Sequence, residues 1–203
     1  MKKVLASSLL FSLVISSTPV QASPFEPVSL RLSQGLSPSI GEHVYTPGTD
    51  DVAALGLHLG CSNNSECIVS SLLFQGFVDE DGTHPGLPAF NEVSSNGVSV
   101  ADLITDAYLV NNADGSVVAG PVMPESDGTL FFTDDFNLEA SESMDLTLYV
   151  DFTDSGNFNG TPESIAFVIW GSSDVEAEDE TGNSILAAGA INSRYRTYVT
   201  VQE

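Results

Sequence analysis

The sequence feature that most constrains the fold is a strict alternation of apolar and polar residues from Met144 to Phe152, which reads MDLTLYVDF. Successive side chains of a β-strand point to opposite faces of a sheet. A period of two therefore predicts a strand with one face in a core and the other in water.

The same period recurs earlier in the chain. Leu55, Leu57 and Leu59 are predicted to share a core face, with Gly56 and His58 on the opposite face. These residues predict a second half-buried strand.

Two further apolar runs follow. The first run is predicted to have an apolar face formed by Ile68, Leu72, Phe74 and Val78. Ser70 and Gly76 lie on the same predicted face. The run from Ser164 to Gly171 is apolar on both faces and predicts a central strand.

Turn residues separate the runs. Asp114-Gly115 and Asp127-Gly128 each lie beside a β-patterned run, and helical periodicity is nearly absent. Short strands at this spacing predict an all-β fold, an antiparallel Ig-like β-sandwich of seven to nine strands.

The order PGT, DVAALGLHL, CIVSSLLF, DAYLVNNADGSVVAG, DGTLFF and ASESMDLTLYVDF resembles a single small β-sandwich module. Such modules recur in bacterial secreted and cell-surface proteins, including adhesins and surface-layer-associated chains. The resemblance covers Thr46 to Val201 and implies a fold and a location. It carries over no catalytic residue.

The N-terminus has the pattern of a secretory signal peptide. Lys2 and Lys3 precede an apolar segment from Val4 to Ile15, and a small-residue cleavage site ends at Ala22. We expect a signal peptide at 1–22, an N-terminal strand and linker at 23–45 and a β-sandwich domain at 46–203. The mature protein is then secreted, at the cell surface or extracellular, with the periplasm as the alternative and no membrane insertion after cleavage.

The sequence contains two cysteines, Cys61 and Cys67, on either side of a short polar loop. In an oxidising compartment such a pair forms a stable disulfide. We expect a structural bridge that clips the base of a hairpin, because a redox or metal site needs a CxxC spacing or further ligands nearby.

The chain is strongly acidic, with 28 Asp and Glu residues against 5 Lys and Arg and a net charge of −23. Both lysines lie in the predicted signal peptide, which leaves Arg31, Arg194 and Arg196 as the fixed positive charges of the mature chain. This charge repels phosphate backbones and argues against nucleic-acid binding.

The acidic loops suggest calcium as the one candidate cofactor, because calcium prefers carboxylate and amide oxygens. The first choice is the loop DFTDSGNFNG, with Asp151, Asp154, Asn157 and Asn159 as ligands. The two other acidic loops are DEDG at 79–82 and DVEAEDETGN at 174–183. For each loop a solvated acidic surface is the alternative.

No catalytic residue is predicted. His43, His58 and His84 are far apart in sequence, and HExxH, GxSxG and glycine-rich phosphate loops are absent from the sequence. His58 is expected on the surface, opposite the leucine face of its strand. We therefore expect that this protein is not an enzyme.

The segment at 24–34 leaves two alternatives open. It folds back as an ordinary first strand, or it adds to the open edge of a second copy, as a donor strand or by edge-strand pairing. The candidate partners are thus the protein itself or a polymer of the cell surface or extracellular space.

The leading functional hypothesis is a non-enzymatic structural or adhesive component of the cell surface or extracellular space. The alternative is a secreted carbohydrate-binding module, and a secreted hydrolase comes third. The aromatic candidates for a sugar platform are Tyr45, Phe90, Tyr108, Tyr149, Trp170, Tyr195 and Tyr198. Trp170 is expected to be in the core or half-buried.

Overall fold

The computed structural model describes residues 28–39, 41–62, 65–79, 97–154, 163–189 and 197–201. The predicted signal peptide at 1–22 and its predicted cleavage site at Ala22 lie outside these ranges, as do Asn157, Asn159 and His84. None of the helices in these ranges has the length and apolar character needed to cross a membrane.

The described residues form thirteen strands and one short helix. The strands are β1 (Ser29–Gln34), β2 (Gly41–Tyr45), β3 (Val52–Cys61), β4 (Cys67–Asp79), β5 (Ile104–Asn111), β6 (Val117–Val122), β7 (Thr129–Phe132), β8 (Phe136–Leu138), β9 (Ser143–Phe152), β10 (Glu163–Val168), β11 (Val175–Asp179), β12 (Leu186–Gly189) and β13 (Thr197–Val201). The helix α1 spans Val100–Leu103, and a 3-10 turn spans Ser172–Asp174.

The strands form two sheets. Sheet A has the order β12-β1-β3-β9-β5-β6, and sheet B has the order β11-β4-β10-β13-β2 with β7 and β8 also paired to β4. One buried apolar cluster contains residues from both sheets. The predicted all-β, Ig-like sandwich is confirmed.

Two details of the fold prediction are wrong. The described strands outnumber the predicted seven to nine, because β8, β11 and β12 are short segments that alternation alone does not separate from loops. The sheets are also not wholly antiparallel, since β1 pairs with β12, and β13 with β2, in parallel. Both parallel pairs join the N-terminal part of the chain to its C-terminal part.

The strand faces follow the alternation in β3 and β9. Leu55, Leu57 and Leu59 are fully buried, as are Leu146 and Leu148. The predicted central strand is β10, which lies between β4 and β13 with all six residues buried.

The predicted face of β4 is only partly correct. Phe74 and Val78 are buried as expected, but Ile68 and Ser70 are half-buried and Val69 is in the core instead. The register with β11 shifts beside Ser70, where Glu176 pairs with Ser71 and Ala177 with Val69. A β-bulge of this kind moves later side chains to the opposite face.

A disulfide joins Cys61 and Cys67, with their Cα atoms 5.8 Å apart. Cys61 ends β3 in sheet A and Cys67 begins β4 in sheet B, so the bridge links the two sheets and does not clip a hairpin. The hairpin expectation was wrong because two consecutive strands in a sandwich can pack face to face without pairing.

The N-terminal strand β1 packs within its own chain. It lies between β3 and β12, and Leu30 is fully buried. The described residues after 28 therefore take the first of the two alternatives, an ordinary strand of the sandwich.

The segment after β1 crosses the outer face of sheet A. The Gly35 N–H donates to the Gly56 carbonyl oxygen at 2.9 Å, and the Thr147 hydroxyl donates to the Ser37 carbonyl oxygen at 3.1 Å. Gly56 is needed here, because a Cβ at this position would overlap the Ser37 carbonyl oxygen. This contact also explains why Thr147, an outward residue of β9, is buried.

Candidate functional site

A cleft of about 440 Å³ opens on the outer face of sheet A. Its lining residues are Asp51, Asp106, Tyr108, Val117, Pro121 and Asp151. Two neighbouring strands supply the central residues, since Asp106 pairs with Asp151 and Tyr108 with Tyr149 in the register of β5 and β9. Residues two apart on a strand share a face, which places these four side chains together.

Two tyrosines form the aromatic part of the cleft region. The rings of Tyr108 and Tyr149 are stacked, with centroids 5.6 Å apart and planes 11° from parallel. Such pairs contribute about 0.5–1.5 kcal/mol beyond the burial of their area. The stack gives the outer face of sheet A a fixed aromatic surface.

Asp51 holds the cleft in place through two contacts. The Tyr108 hydroxyl donates a hydrogen bond to its carboxylate, and its own backbone N–H donates to Asp151 Oδ1 at 2.7 Å. Desolvation first, and then the hydrogen bond to Asp51, raise the pKa of Tyr108 above its usual range. The phenol therefore stays protonated and continues to donate at neutral pH.

The cleft is electrostatically negative. Asp106 and Asp151 are direct cross-strand partners, and like charges opposite each other destabilise a sheet. Asp51 adds a third carboxylate. The site therefore favours a positively charged or hydroxyl-rich ligand over an anion.

The predicted calcium ligands are only partly within the described residues. Asp151 lies in this cleft, while Asp154 lies beside Gly48 just after β9. Among the described residues, no group of three or more His, Cys, Asp or Glu side chains is arranged to hold a metal ion. Calcium binding by Asp151, Asp154, Asn157 and Asn159 stays a prediction.

The acids of the other two loops have different surroundings. Asp79, the last residue of β4, is buried, and the rest of DEDG lies outside the described residues. The Asp179 carboxylate accepts hydrogen bonds from the backbone N–H groups of Asn183 and Thr181 and from the Thr181 hydroxyl, which together lower its pKa. Asp179 thus stabilises a turn.

His58 lies on the outer face of sheet A, as expected. Its Nδ1 is 2.8 Å from Asp145 Oδ1, and its side chain is 38% exposed. The strand register places Ser33 on the other side of His58. This row of serine, histidine and aspartate lies on an open face where Ser33 and Asp145 are exposed, whereas hydrolytic sites are concave and exclude water.

The expected burial of Trp170 is wrong. Its side chain is 54% exposed, and it packs edge to face against Phe77 with ring centroids 5.9 Å apart. Ile165, Phe167 and Ile169 fill the core, so the alternation turns Trp170 outward. The sequence contains this signal, but an apolar run hides which of its two faces is inward.

The other aromatic candidates divide into two groups. Tyr45 packs against Phe152 with ring centroids 6.2 Å apart and is half-buried at the edge of the core. Phe90 and Tyr195 lie outside the described residues, and of Tyr198 only the backbone, in β13, is described. Among the described residues, aromatic side chains are exposed or half-buried on two outer faces, the tyrosine stack on sheet A and Trp170, Phe77 and Phe131 on sheet B.

Comparison with known proteins identifies no family. No protein-family model matches the chain, and no curated protein matches it.

Several solved structures resemble it weakly. One is the ASH / PapD-like domain of human CEP192 (PapD-like domain 7), which is 11% identical in sequence. The match covers 98% of this chain and 97% of that chain, with a TM-score of 0.31. A second is a family 123 glycoside hydrolase from Clostridium perfringens, which is 7% identical in sequence. The match covers 87% of this chain and 27% of that chain, with a TM-score of 0.36. A third is AvmM, which catalyses macrocyclization in alchivemycin A biosynthesis, at 10% identity, 87% and 89% coverage and a TM-score of 0.29. Likenesses at this level carry no argument about function.

Proposed function

We propose that this protein is an exported, non-enzymatic β-sandwich that acts as a structural or adhesive component of the cell surface or extracellular space. The observation that carries the proposal is the position of its distinctive side chains. The Tyr108–Tyr149 stack and Trp170 lie on open outer faces, while the interior is filled by one apolar core. Open aromatic faces suit contact with extended partners.

The inter-sheet disulfide and the acidic composition support the same proposal. The Cys61–Cys67 bond suits an oxidising compartment. A net charge of −23 favours a medium in which salt or divalent cations screen self-repulsion.

The location is tested by fractionating cells of the host and detecting the protein with an antibody. Recovery in the surface or extracellular fraction supports the proposal. Negative-stain microscopy of the purified protein, with and without calcium, tests self-assembly. A protein confined to the cytoplasm contradicts the proposal outright, and a strict monomer without surface association contradicts its structural version.

Calcium is part of this proposal, with the predicted ligands Asp151, Asp154, Asn157 and Asn159, because calcium prefers carboxylate and amide oxygens. Asp151 lies near the end of β9 and Asp154 just after it. The expected result is a higher melting temperature in calcium, with a smaller rise in Asp151→Asn. Glu139→Gln is the matched control, since it removes one negative charge at an exposed position before the start of β9, whereas Asp151 lies near the other end of that strand. An equal rise in sodium chloride of matched ionic strength would show screening alone and contradict calcium binding.

A secreted carbohydrate-binding module is the second candidate. The specific observation in its favour is the 54% exposure of Trp170, since tryptophan is an apolar residue that is usually well buried. Retention of the protein on a panel of immobilised polysaccharides tests this candidate, and no retention on any of them contradicts it.

A further inference from the structure

The outer face of sheet B carries an apolar surface that we call the sheet B aromatic face, formed by Leu73, Phe77, Phe131 and Trp170. Leu73 and Phe131 are register partners on β4 and β7. Phe77 lies on the same face of β4 as Leu73, because Phe74 and Val78 point into the core. Trp170 joins the face through its contact with Phe77.

Trp170 is held in a defined orientation. Its backbone N–H donates to Asp174 Oδ2 at 2.6 Å, which ties it to the 3-10 turn that follows, and its indole packs edge to face against the Phe77 ring. A side chain fixed before binding loses little conformational entropy on contact with a ligand. Trp170 is thus an exposed ring that is already positioned.

Polar groups lie between the rings. Gln75 is the residue of β4 between Leu73 and Phe77 on this face, and its amide contacts the Asp127 carbonyl oxygen at 2.9 Å and the Thr129 hydroxyl at 3.4 Å. The face therefore combines aromatic surface with amide, hydroxyl and carbonyl groups and with the Asp174 carboxylate bonded to the Trp170 backbone. Sites for small polar ligands have this mixed composition.

The exposed area is too small for a protein partner. Trp170 is 54% exposed and Phe131 is 47% exposed. With about 150–250 Å² for each aromatic side chain, the two rings offer on the order of 200 Å². A specific protein interface needs roughly 800 Å² from each partner.

Charge excludes a further class of partner. Asp127 and Asp174 border the face, and the whole chain has a net charge of −23. An anionic polymer would be repelled. Among the ligands that this charge allows, we choose one with uncharged hydroxyl groups and an apolar ring face, because such a ring stacks on an indole while its hydroxyls find polar partners.

We propose that the sheet B aromatic face binds a neutral polysaccharide, with a pyranose ring stacked on Trp170. This inference rests on the second candidate function, a secreted carbohydrate-binding module, and names the polymer class and the surface that would contact it. Trp170 provides the stacking surface, and Phe77 packs against its indole ring. Gln75 and Asp174 supply polar groups on the same face.

The test is native gel electrophoresis in gels that contain a soluble neutral polysaccharide, with one glucan, one xylan and one mannan tested separately. The net charge of −23 carries the protein towards the anode, so binding appears as retardation. We expect retardation by at least one neutral polymer and a loss of affinity of about tenfold or more in Trp170→Ala. Trp170→Phe should retain most of the affinity, because it keeps an aromatic ring.

Leu186→Ala is the matched control, since Leu186 is 71% exposed on β12 of the other sheet. It should be retarded as the wild type is. Circular dichroism confirms that each variant is folded, and Trp170→Phe serves as the readout if Trp170→Ala does not fold.

Three outcomes overturn the inference. Equal retardation of the wild type and Trp170→Ala moves the binding site elsewhere, and retardation only in anionic polymers such as polygalacturonate contradicts the charge argument. Absence of retardation in every neutral polymer also overturns it. None of these results decides the adhesive function, which cell fractionation tests separately.

Discussion

The hydroxyl of Tyr108 donates a hydrogen bond to the carboxylate of Asp51, and this contact spans the strand between them. Tyr108 lies on β5 and Asp51 immediately precedes β3, while β9 separates these two strands in sheet A. The Asp51 backbone N–H in turn donates to Asp151, at the end of β9. Three strands are thus joined on the outer face by one aspartate.

The first prediction follows from this contact. Asp51→Asn should lower the pKa of Tyr108 towards the ordinary value of 10.0, because the carboxylate favours the neutral phenol. Since the pKa is raised in the folded state, its contribution to stability is complete below pH 10 and is lost as the pH rises above that value through the folded pKa. The ultraviolet absorbance of phenolate, followed during alkaline titration, measures the change.

Two variants serve as controls for this titration. Tyr108→Phe should remove one late-titrating group. Asp50→Asn removes the same charge from the neighbouring residue and should leave the titration unchanged, because Asp50 is not among the groups that raise the pKa of Tyr108. A titration curve of Asp51→Asn that is identical to that of the wild type would contradict the assignment.

The second prediction concerns the segment that crosses sheet A. Gly56→Ala should destabilise the protein by about 1–3 kcal/mol, because the new Cβ would overlap the Ser37 carbonyl oxygen. Gly60→Ala is the matched control on the same strand, since no atom lies within 4 Å of its Cβ position. Its effect should be within about 0.5 kcal/mol in urea unfolding. Equal stability of the two variants would mean that Ser37 does not lie over Gly56.

The third prediction concerns the disulfide. Replacing both Cys61 and Cys67 by alanine should lower the free energy of unfolding by about 2 kcal/mol, since the bridge closes a short loop and so restricts the unfolded chain. Urea unfolding of the wild type with reductant should give the same midpoint as the double variant without it. A reduced wild type as stable as the oxidised one would show that the link between the sheets is dispensable.

The fourth prediction concerns β1. Because β1 pairs with β3 and β12 of its own chain, the thermal unfolding midpoint should not depend on protein concentration. Calorimetry over a wide concentration range measures this directly. A midpoint that rises with concentration, in protein that negative-stain microscopy shows to be unassembled, would instead indicate exchange of a strand between copies, as in donor-strand assembly.

Local patterning was sufficient to predict the class of fold and several strand faces. The alternation in β3 and β9 identified Leu57 and Leu148 as core residues, because side-chain direction in a strand depends only on position along that strand. The run at β10 predicted a central strand for the same reason. In the candidate site, the alternation also placed Tyr149 and Asp151 on the outer face of β9.

The candidate site itself could not be predicted, because its residues are distant in sequence. Asp51 and Tyr108 are 57 positions apart, and Asp51 and Asp151 are 100 apart. Which strands become neighbours depends on packing across the whole core. Because the chain has many acidic residues, the sequence alone does not show which of them lie beside one another. The bulge beside Ser70 shows the same limit, since one extra residue in the pairing reverses a face without any local signal.

The sequence by itself determined the all-β class, the inward faces of its regular strands and the availability of two cysteines for a disulfide, since these depend on residues close together along the chain. Only the tertiary structure decided that the disulfide joins two sheets, that β1 lies between β3 and β12, that Trp170 faces outward and that Asp51 meets Tyr108 and Asp151. The physical reason is that side-chain alternation is a property of one strand, whereas strand pairing is chosen by the burial of the complete apolar surface.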